Sequence, residues 1–166
     1  MLVELCCQDI RSAIAAHNLG FERIELNAGL ELGGLSPYTE QIEEIKKSCP
    51  IKIISLIRSR AGGFFYEEDE ISFMLKQAEN ALRAGSHGVA FGALNRDFTI
   101  NERASERFRE LCFKYKAEFV FHRAFDCARN LREIEKLIEL ETNRVLTSGQ
   151  RKNVELGSEN LRLLMN

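Results

Sequence analysis

Apolar residues along the chain follow two alternating patterns, short continuous runs and longer stretches in which they recur every three or four positions. Short runs bounded by glycine, proline or polar residues are typical of buried strands, and the periodic stretches are typical of amphipathic helices. The runs predict six strands, over residues 2–6, 21–26, 51–57, 87–91, 118–121 and 144–146. The periodic stretches predict helices over residues 9–19, 36–48, 67–84, 101–116 and 130–140, and a last short helix capped by Ser158.

Local signals support the limits of several helices. Asp9 is a typical N-cap residue, because its carboxylate can accept hydrogen bonds from the free N–H groups of the first turn. Pro37 suits the first position of the second helix, where a backbone N–H is not needed. In the third helix Ile71, Met74 and Ala78 fall on one stripe, which predicts a single buried face.

Strands that alternate with helices predict right-handed β-α-β crossovers and a parallel sheet. The early glycines lack the spacing of a phosphate-binding loop, so a nucleotide-binding doubly wound sheet is not supported. Polar residues stand instead at the carboxyl ends of nearly all the strands, where a (β/α)8 barrel builds its active site. The predicted fold class is therefore α/β and TIM-barrel-like, one domain over residues 1–166 whose six β-α units form a partial or open barrel.

The polar residues at the strand ends make a candidate site for an anion or a metal ion. The predicted ligand-binding residues are Glu4, Glu25, Arg58, Arg60, His122, Arg123, Asp126, Thr147 and Ser148. Glu25 and His122 are candidate acid–base groups, although neither is assigned as catalytic. His122 can equally be a buried histidine held by a neighbouring carbonyl or by Asp126, and Thr147 and Ser148 can equally cap the next helix.

Alternation along a strand places side chains two positions apart on the same face. Glu4 and Cys6 therefore share one face, and with Glu25 on the next strand they point into the barrel, where an unpaired carboxylate is costly. Arg58 and Arg60 share a face if the third strand continues. We expect these arginines to neutralise the two carboxylates, to bind an anion, or to do both.

Composition places the chain among ordinary globular proteins, since 45% of its residues are hydrophobic and 29% are charged. With 23 basic and 25 acidic residues there is no electrostatic reason to expect a nucleic-acid partner. No apolar run approaches the roughly 18 residues of a membrane span. Glu4 stands where a signal peptide has basic residues, so we expect a cytoplasmic protein without a membrane partner. Its 5 cysteines lack CxxC spacing and are expected to be free thiols.

Five stretches of the chain occur together in a recognisable order. They are ELCC at 4–7, RIEL at 23–26 with GGLSP at 33–37, IRSR at 57–60, FHRAFD at 121–126 and RVLTSG at 144–149. FHRAFD and RVLTSG are the specific ones. Together the five closely resemble the CutC copper homeostasis family over essentially the whole chain. The resemblance implies a TIM-barrel-like fold, a cytoplasmic location and a proposed role in Cu(I) binding or trafficking, and it brings no settled reaction.

The copper role in that family is attributed to cysteines near the barrel mouth. Cys6 matches the family's first-strand cysteine, whereas Asn27 stands where several members have a second cysteine. An amide is a poor ligand for Cu(I), which prefers soft sulfur donors. The metal-ligand candidates are therefore Cys6 and, secondarily, Cys127, with Cu(I) as the ion bound. The alternatives are an enzyme-like barrel that binds a small anionic or sugar-phosphate ligand, clamped by Arg58 and Arg60, and an inactive truncated copy.

The number of β-α units predicts an open edge in the sheet. Six units in 166 residues are fewer than the eight of a closed barrel, and members of the family continue with two more. The first and last strands would then be unpaired parallel edges, which natural proteins normally cover. We expect the last helix or a second subunit to cover the gap, and a homodimer is the predicted arrangement.

Overall fold

In the computed structural model, which describes residues 2–165, six strands alternate with six α-helices, as the periodicities predict. The strands are β1 (Glu4–Cys7), β2 (Arg23–Leu26), β3 (Lys52–Leu56), β4 (Gly88–Phe91), β5 (Glu118–Phe121) and β6 (Arg144–Val145). The helices are α1 (Ile10–Asn18), α2 (Thr39–Ser48), α3 (Glu68–Arg83), α4 (Glu102–Lys114), α5 (Ile134–Glu139) and α6 (Val154–Leu164). Each strand limit lies within two residues of its predicted position.

The strands form one parallel sheet in sequence order, from β1 at one edge to β6 at the other. The sheet is curled into half of a barrel, and this confirms the predicted TIM-barrel-like class. The curl brings the two edge strands within reach of each other, since Nη1 of Arg144 on β6 lies 3.1 Å from Oε2 of Glu4 on β1.

Two apolar clusters lie on opposite faces of the sheet. Between the sheet and the helices is the larger cluster, where the rings of Phe91 and Phe108 stack with centroids 3.7 Å apart. The other face, which we call the concave face, carries the smaller cluster of Ile54, Leu56, Ala90, Val120 and Leu146. Because successive side chains of a strand point to opposite faces, Ile53 belongs to the first cluster and Ile54 to the second.

The limits predicted for α1 and α3 are confirmed by their caps and buried faces. The carboxylate of Asp9 accepts a hydrogen bond from the backbone N–H of Ser12 at 2.9 Å. In α3 the stripe of Ile71, Met74 and Ala78 is buried. Both helices therefore follow from local sequence signals that tertiary packing reinforces.

The predicted start of α2 at Ser36 and Pro37 is wrong, because the helix begins at Thr39. Ser36 is bound to the end of β3 instead. Its N–H donates to the carbonyl of Arg58 at 2.9 Å, and its hydroxyl accepts from the N–H of Arg58, also at 2.9 Å. These bonds hold residues 35–36 beside the strand, so the chain turns into the helix only after Pro37.

The cap predicted for the last helix is also wrong. The helix α6 begins at Val154, where the side chain of Asn153 accepts from the N–H of Leu156 at 3.0 Å, and Ser158 lies inside it. Gly157, within α6, is needed for close packing. A Cβ at this position would lie 1.7 Å from the carbonyl oxygen of Ser148, so only glycine lets α6 pack against the loop after β6.

The predicted helix over 130–140 is shorter than expected. Its first turn, Leu131–Glu133, is a 3₁₀ turn capped by Asn130, and only Ile134–Glu139 is α-helical. The carboxylate of Glu133 is buried and accepts from the N–H of Ile100 at 2.9 Å, which holds the turn against the loop before α4. A tertiary hydrogen bond therefore determines the geometry of this turn.

Apolar side chains are exposed on α6, where Leu156 is 65% and Leu163 is 62% accessible. The homodimer that would cover this region stays a prediction, and a light-scattering mass of one chain at high concentration would contradict it. Among residues 2–165, no helix is long and apolar enough to cross a membrane.

Candidate functional site

A cavity of about 470 Å³ opens at the carboxyl ends of the strands, and Leu56 and Leu146 of the concave face form part of its apolar lining. Six of the predicted binding residues line it, namely Glu25, Arg58, His122, Arg123, Thr147 and Ser148. This is the position that the strand-end pattern predicts for a barrel active site. Glu4, Arg60 and Asp126 of the predicted set do not line the cavity.

Glu25 is an acidic side chain in this cavity that forms no ion pair with residues 2–165. Its Oε1 lies 3.8 Å from Sγ of Cys6, and its Oε2 is buried without a hydrogen-bond partner within residues 2–165. Burial raises the pKa of Glu25 to about 7, and the negative charge of Glu4 acts in the same direction. The carboxyl group can therefore take up or release a proton near neutral pH.

His122 is a buried, neutral imidazole at the end of β5. Its Nδ1 accepts a hydrogen bond from the backbone N–H of Ala124 at 3.2 Å, and its ring centroid lies 5.1 Å from that of Phe64. Gly92 makes room for the ring, since a Cβ there would lie 2.6 Å from Nδ1. Burial lowers the pKa of His122 to about 3, assisted by the positive charge of Arg58, so the ring is uncharged at neutral pH.

Arg58 joins two loops at the edge of the cavity. Its Nη1 lies 3.2 Å from each of three successive carbonyl oxygens, those of Leu32, Gly33 and Gly34. Its Nη2 donates to the carbonyl of Gly62 at 2.6 Å, and its Nε is buried without a partner among the described residues. The guanidinium is therefore fixed in place, with its buried Nε–H left unpaired among residues 2–165.

Asp126 lies behind the cavity wall and orients the residues that form it. Its carboxylate accepts hydrogen bonds from the hydroxyl of Thr147 at 2.5 Å and from the N–H groups of Ser148 and Gln150 at 3.0 Å each. Although burial acts to raise the pKa of Asp126, the bonds from Thr147 and Arg123 hold it below its usual value. Thr147 and Ser148 are thus oriented by Asp126, and neither caps α6.

Glu4 lies at the amino end of the concave face, where the expectation that Arg58 and Arg60 neutralise it is wrong. Its Oε2 is 2.5 Å from Nε of Arg23 on the adjacent strand and 3.1 Å from Nη1 of Arg144. Arg144 also contacts Glu118 at 2.8 Å. Two arginines and two glutamates therefore neutralise one another, and we call these four residues the amino-end ion cluster.

Arg60 lies outside the cavity, because β3 ends at Leu56 and the strand alternation does not extend to it. Its guanidinium pairs with Glu70 at 2.5 Å and lies over the ring of Tyr66. It holds the loop before α3 against that helix, so the predicted clamp of two arginines reduces to Arg58.

The two candidate metal ligands lie at different places. Sγ of the exposed Cys6 accepts from Nδ2 of Asn27 at 2.9 Å, at the open side of the concave face. Cys127 borders a separate cavity that also contains Phe98. Within residues 2–165, no three His, Cys, Asp or Glu side chains are grouped to hold a metal ion. Beside Cys6 stand the carboxylate of Glu25 and the amide of Asn27, whose oxygens are hard donors and poor ligands for Cu(I).

Lys152 and Phe64 are among the lining residues of the cavity that sequence reasoning missed. Lys152 stands just before α6, and a correct assignment of the Asn153 cap would have placed it at the mouth. Phe64 follows the glycines of the loop after β3 and packs against both Arg58 and His122. Nothing in the local sequence distinguishes this ring from an ordinary exposed loop residue.

The sequence over residues 1–166 matches the family model of the CutC family. The chain belongs to the CutC family. A family protein CutC from Vibrio cholerae serotype O1 is 39% identical over 164 residues, which are 98% of this chain and 65% of that protein. The chain therefore spans just under two thirds of the length of that relative.

Solved structures show the same fold. The crystal structure of CutC from Streptococcus agalactiae superposes with a TM-score of 0.89 at 23% identity, over 99% of this chain and 82% of that one. A 2,3-dimethylmalate lyase matches with a TM-score of 0.69 at 12% identity, over 98% of this chain and 63% of that one. At these identities the likeness concerns the fold alone.

Proposed function

We propose that the cavity of this CutC-family chain binds a small organic anion, a carboxylate or a phosphate ester, and that Glu25 exchanges a proton with it. The observation that carries the proposal is a set of unpaired polar atoms. Oε2 of Glu25, Nε of Arg58 and Nε2 of His122 are all buried without partners in residues 2–165, and all three residues line one cavity. An unpaired buried polar group costs about 1–3 kcal/mol, so a ligand that pairs all three would gain strongly.

The charges around the cavity favour an anion. Arg58, Arg123 and Lys152 line it, and its acidic member Glu25 is partly protonated near neutral pH. Asp126 is already paired with Arg123 at 2.7 Å and is directed to the loop after β6. The cationic side chains that line the cavity therefore outnumber the acidic one, and Nε–H of the rigidly held Arg58 is a charged donor for an oxyanion.

Thermal stabilisation of the purified protein by a ligand panel tests the proposal. We expect small carboxylates and phosphate esters, with pyruvate and dihydroxyacetone phosphate as the first probes, to raise the midpoint of thermal unfolding in a saturable way. Lys152→Met weakens this stabilisation, whereas Lys47→Met on the exposed face of α2 does not. The proposal fails if no anion in the panel stabilises the folded protein or if both variants respond alike.

Copper binding is the competing proposal, supported by the family and by a Streptococcus relative named for copper homeostasis. It requires Cys6 as the soft ligand, and Asn27 and Glu25 beside it do not supply a second one. A competition titration of the reduced protein with a Cu(I) chelator distinguishes the two. We expect Cys6→Ser and the matched exposed-thiol variant Cys127→Ser to lower Cu(I) affinity equally. A loss confined to Cys6→Ser would favour the copper role.

A further inference from the structure

We propose that the ligand presents a carbonyl oxygen to Nε2–H of His122 and Nε–H of Arg58, and that Glu25 removes a proton from the carbon beside that carbonyl. This inference rests on the proposed anion site and assigns it a reaction class, the enolisation of a 2-oxo acid or a ketone phosphate. The three groups that carry it are the three with unpaired buried atoms in the cavity.

The tautomer of His122 follows from its neighbours. The N–H of Ala124 donates to Nδ1, so Nδ1 carries a lone pair and the proton of the neutral ring is on Nε2. Nε2 is therefore a buried hydrogen-bond donor that lacks an acceptor. Because burial lowers the pKa of His122 to about 3, the ring stays neutral and can donate this hydrogen bond without exchanging its proton.

Arg58 supplies a second fixed donor. Four backbone carbonyls occupy its two terminal nitrogens, and the guanidinium rests against Phe64 with Cζ 5.1 Å from the ring centroid. Nε–H is the group that remains for a ligand. Donors held in this way need no rearrangement when negative charge develops on a bound oxygen, which is the property that stabilises an oxyanion.

Glu25 completes the arrangement as the base. Its carboxylate takes the proton from carbon, the C–H electron pair becomes the C=C bond of an enolate, and the carbonyl π pair moves onto oxygen. That oxygen accepts hydrogen bonds from His122 and Arg58. The reverse step returns a proton from Glu25 to carbon, so the exchange needs no oxidant and no second substrate. A pKa of about 7 places Glu25 where both directions proceed near neutral pH.

The cations at the cavity mouth select the substrate class. Lys152 and Arg123 line the same cavity as the three groups above, and they suit the carboxylate or phosphate of the ligand. A neutral ketone lacks that contact. The site is therefore assigned to small ketones that carry an anionic group.

Hydrogen–deuterium exchange tests the inference. The protein is incubated in D2O with 2-oxobutanoate, pyruvate or dihydroxyacetone phosphate, and deuterium at the carbon beside the carbonyl is measured by NMR. We expect exchange above the protein-free rate for at least one probe, and a fall of about 100-fold or more in Glu25→Gln. His17→Asn on α1 leaves the exchange rate unchanged.

Two substitutions of His122 separate its proposed donor from its structural role. In His122→Asn the amide oxygen can still accept from the N–H of Ala124, but no donor replaces Nε2–H, and exchange falls about 100-fold. In His122→Gln a side-chain amide N–H can reach the position of Nε2, and we expect part of the exchange to return. Equal rates in the two folded variants would contradict the role of Nε2–H.

The failures of the two proposals can be told apart. If a probe stabilises the protein in a saturable way but exchanges no faster than in its absence, the enolisation is wrong and anion binding stands. If no anion of the panel stabilises the folded protein, the anion site is wrong and the enolisation falls with it.

Discussion

The two ends of the concave face differ in how their charged and polar side chains are paired. At the amino end, Glu4 contacts both Arg23 and Arg144, so each charge of the amino-end ion cluster has an opposite charge beside it. At the carboxyl end, Glu25 and His122 are buried with atoms that have no partner in residues 2–165. The same curled sheet therefore holds a cluster of paired charges at one end and, at the other, a carboxylate without an ion-pair partner among residues 2–165.

This difference separates a structural role from a binding role. Charges that neutralise one another connect strands, and the pair of Glu4 with Arg144 joins the two edges of the half-barrel. Unpaired polar atoms in a cavity lower stability unless something binds them. Removal of a paired charge at the amino end should therefore destabilise the fold, and removal of the unpaired charge of Glu25 at the carboxyl end should stabilise it.

The largest effect is expected at the amino end. Arg23→Met removes a guanidinium that is only 8% exposed and leaves Glu4 and Glu118 with fewer partners. We expect the free energy of unfolding to fall by about 3–5 kcal/mol in urea denaturation. Arg96→Met, which removes an exposed pair with Glu67, should leave the midpoint nearly unchanged. Comparable losses in the two variants would contradict the distinction between paired interior charges and surface pairs.

At neutral and alkaline pH, Glu25→Gln is expected to raise the free energy of unfolding, whereas Arg23→Met lowers it. Because the pKa of Glu25 is about 7 in the folded protein against 4.5 in the unfolded chain, its contribution to stability is full below pH 4.5 and is lost as the pH rises through 7. The variant should match the wild type near pH 4.5 and exceed it by roughly 2–3 kcal/mol at pH 8.5.

Urea denaturation of both proteins across that pH range measures the difference, in which the contribution of His122 cancels. A Glu25→Gln variant that is less stable than the wild type at pH 8.5 would show that the carboxylate has a partner at the carboxyl end after all.

A smaller effect on the free energy of unfolding is expected at Asp126, which lies at the carboxyl end but has a hydrogen-bonded carboxylate. Asp126→Asn removes the charge that orients Thr147 and Ser148, and we expect a loss of about 2 kcal/mol in the free energy of unfolding. The milder Thr147→Val, which removes one donor, should lose less. If Thr147→Val costs as much as Asp126→Asn, the loop depends on the threonine hydroxyl and the central role of Asp126 is wrong.

The smallest effect on stability is expected from Lys152→Met at the cavity mouth. Lys152 makes no ion pair with a described residue, so its removal should change the free energy of unfolding by less than about 0.5 kcal/mol. Binding of pyruvate, measured by calorimetry, should weaken nevertheless. A large loss of stability with unchanged binding would assign Lys152 to the structural group instead.

The fold and the position of the cavity could be predicted because both depend on local patterns. The alternation of apolar runs and periodic stretches determines the order of strands and helices, and strand ends determine where polar side chains meet. Glu25 and His122 were found in this way, since each lies at a strand end with inward parity.

The partners of these residues could not be predicted, because they depend on how far the sheet curls and where a strand stops. Arg144 neutralises Glu4 across 140 positions of the chain. Arg60 lies outside the cavity because β3 ends at Leu56, and Gly157 of α6 packs against the loop after β6. The tautomer of His122 depends on a single backbone N–H, that of Ala124, which no sequence pattern reveals.

The proposed chemistry requires His122 to be a neutral hydrogen-bond donor that contacts the ligand, so the state of its ring is decisive. Nitrogen-15 NMR of the histidine rings, with and without saturating pyruvate, reports the charge and the tautomer of each ring. We predict that His122 stays in the neutral Nε2–H form from pH 5 to pH 8 and that pyruvate shifts its resonances, whereas His17 does not respond to pyruvate. A His122 ring that titrates near pH 6.5, or one that no anion of the panel perturbs, would rule out the proposed role of His122.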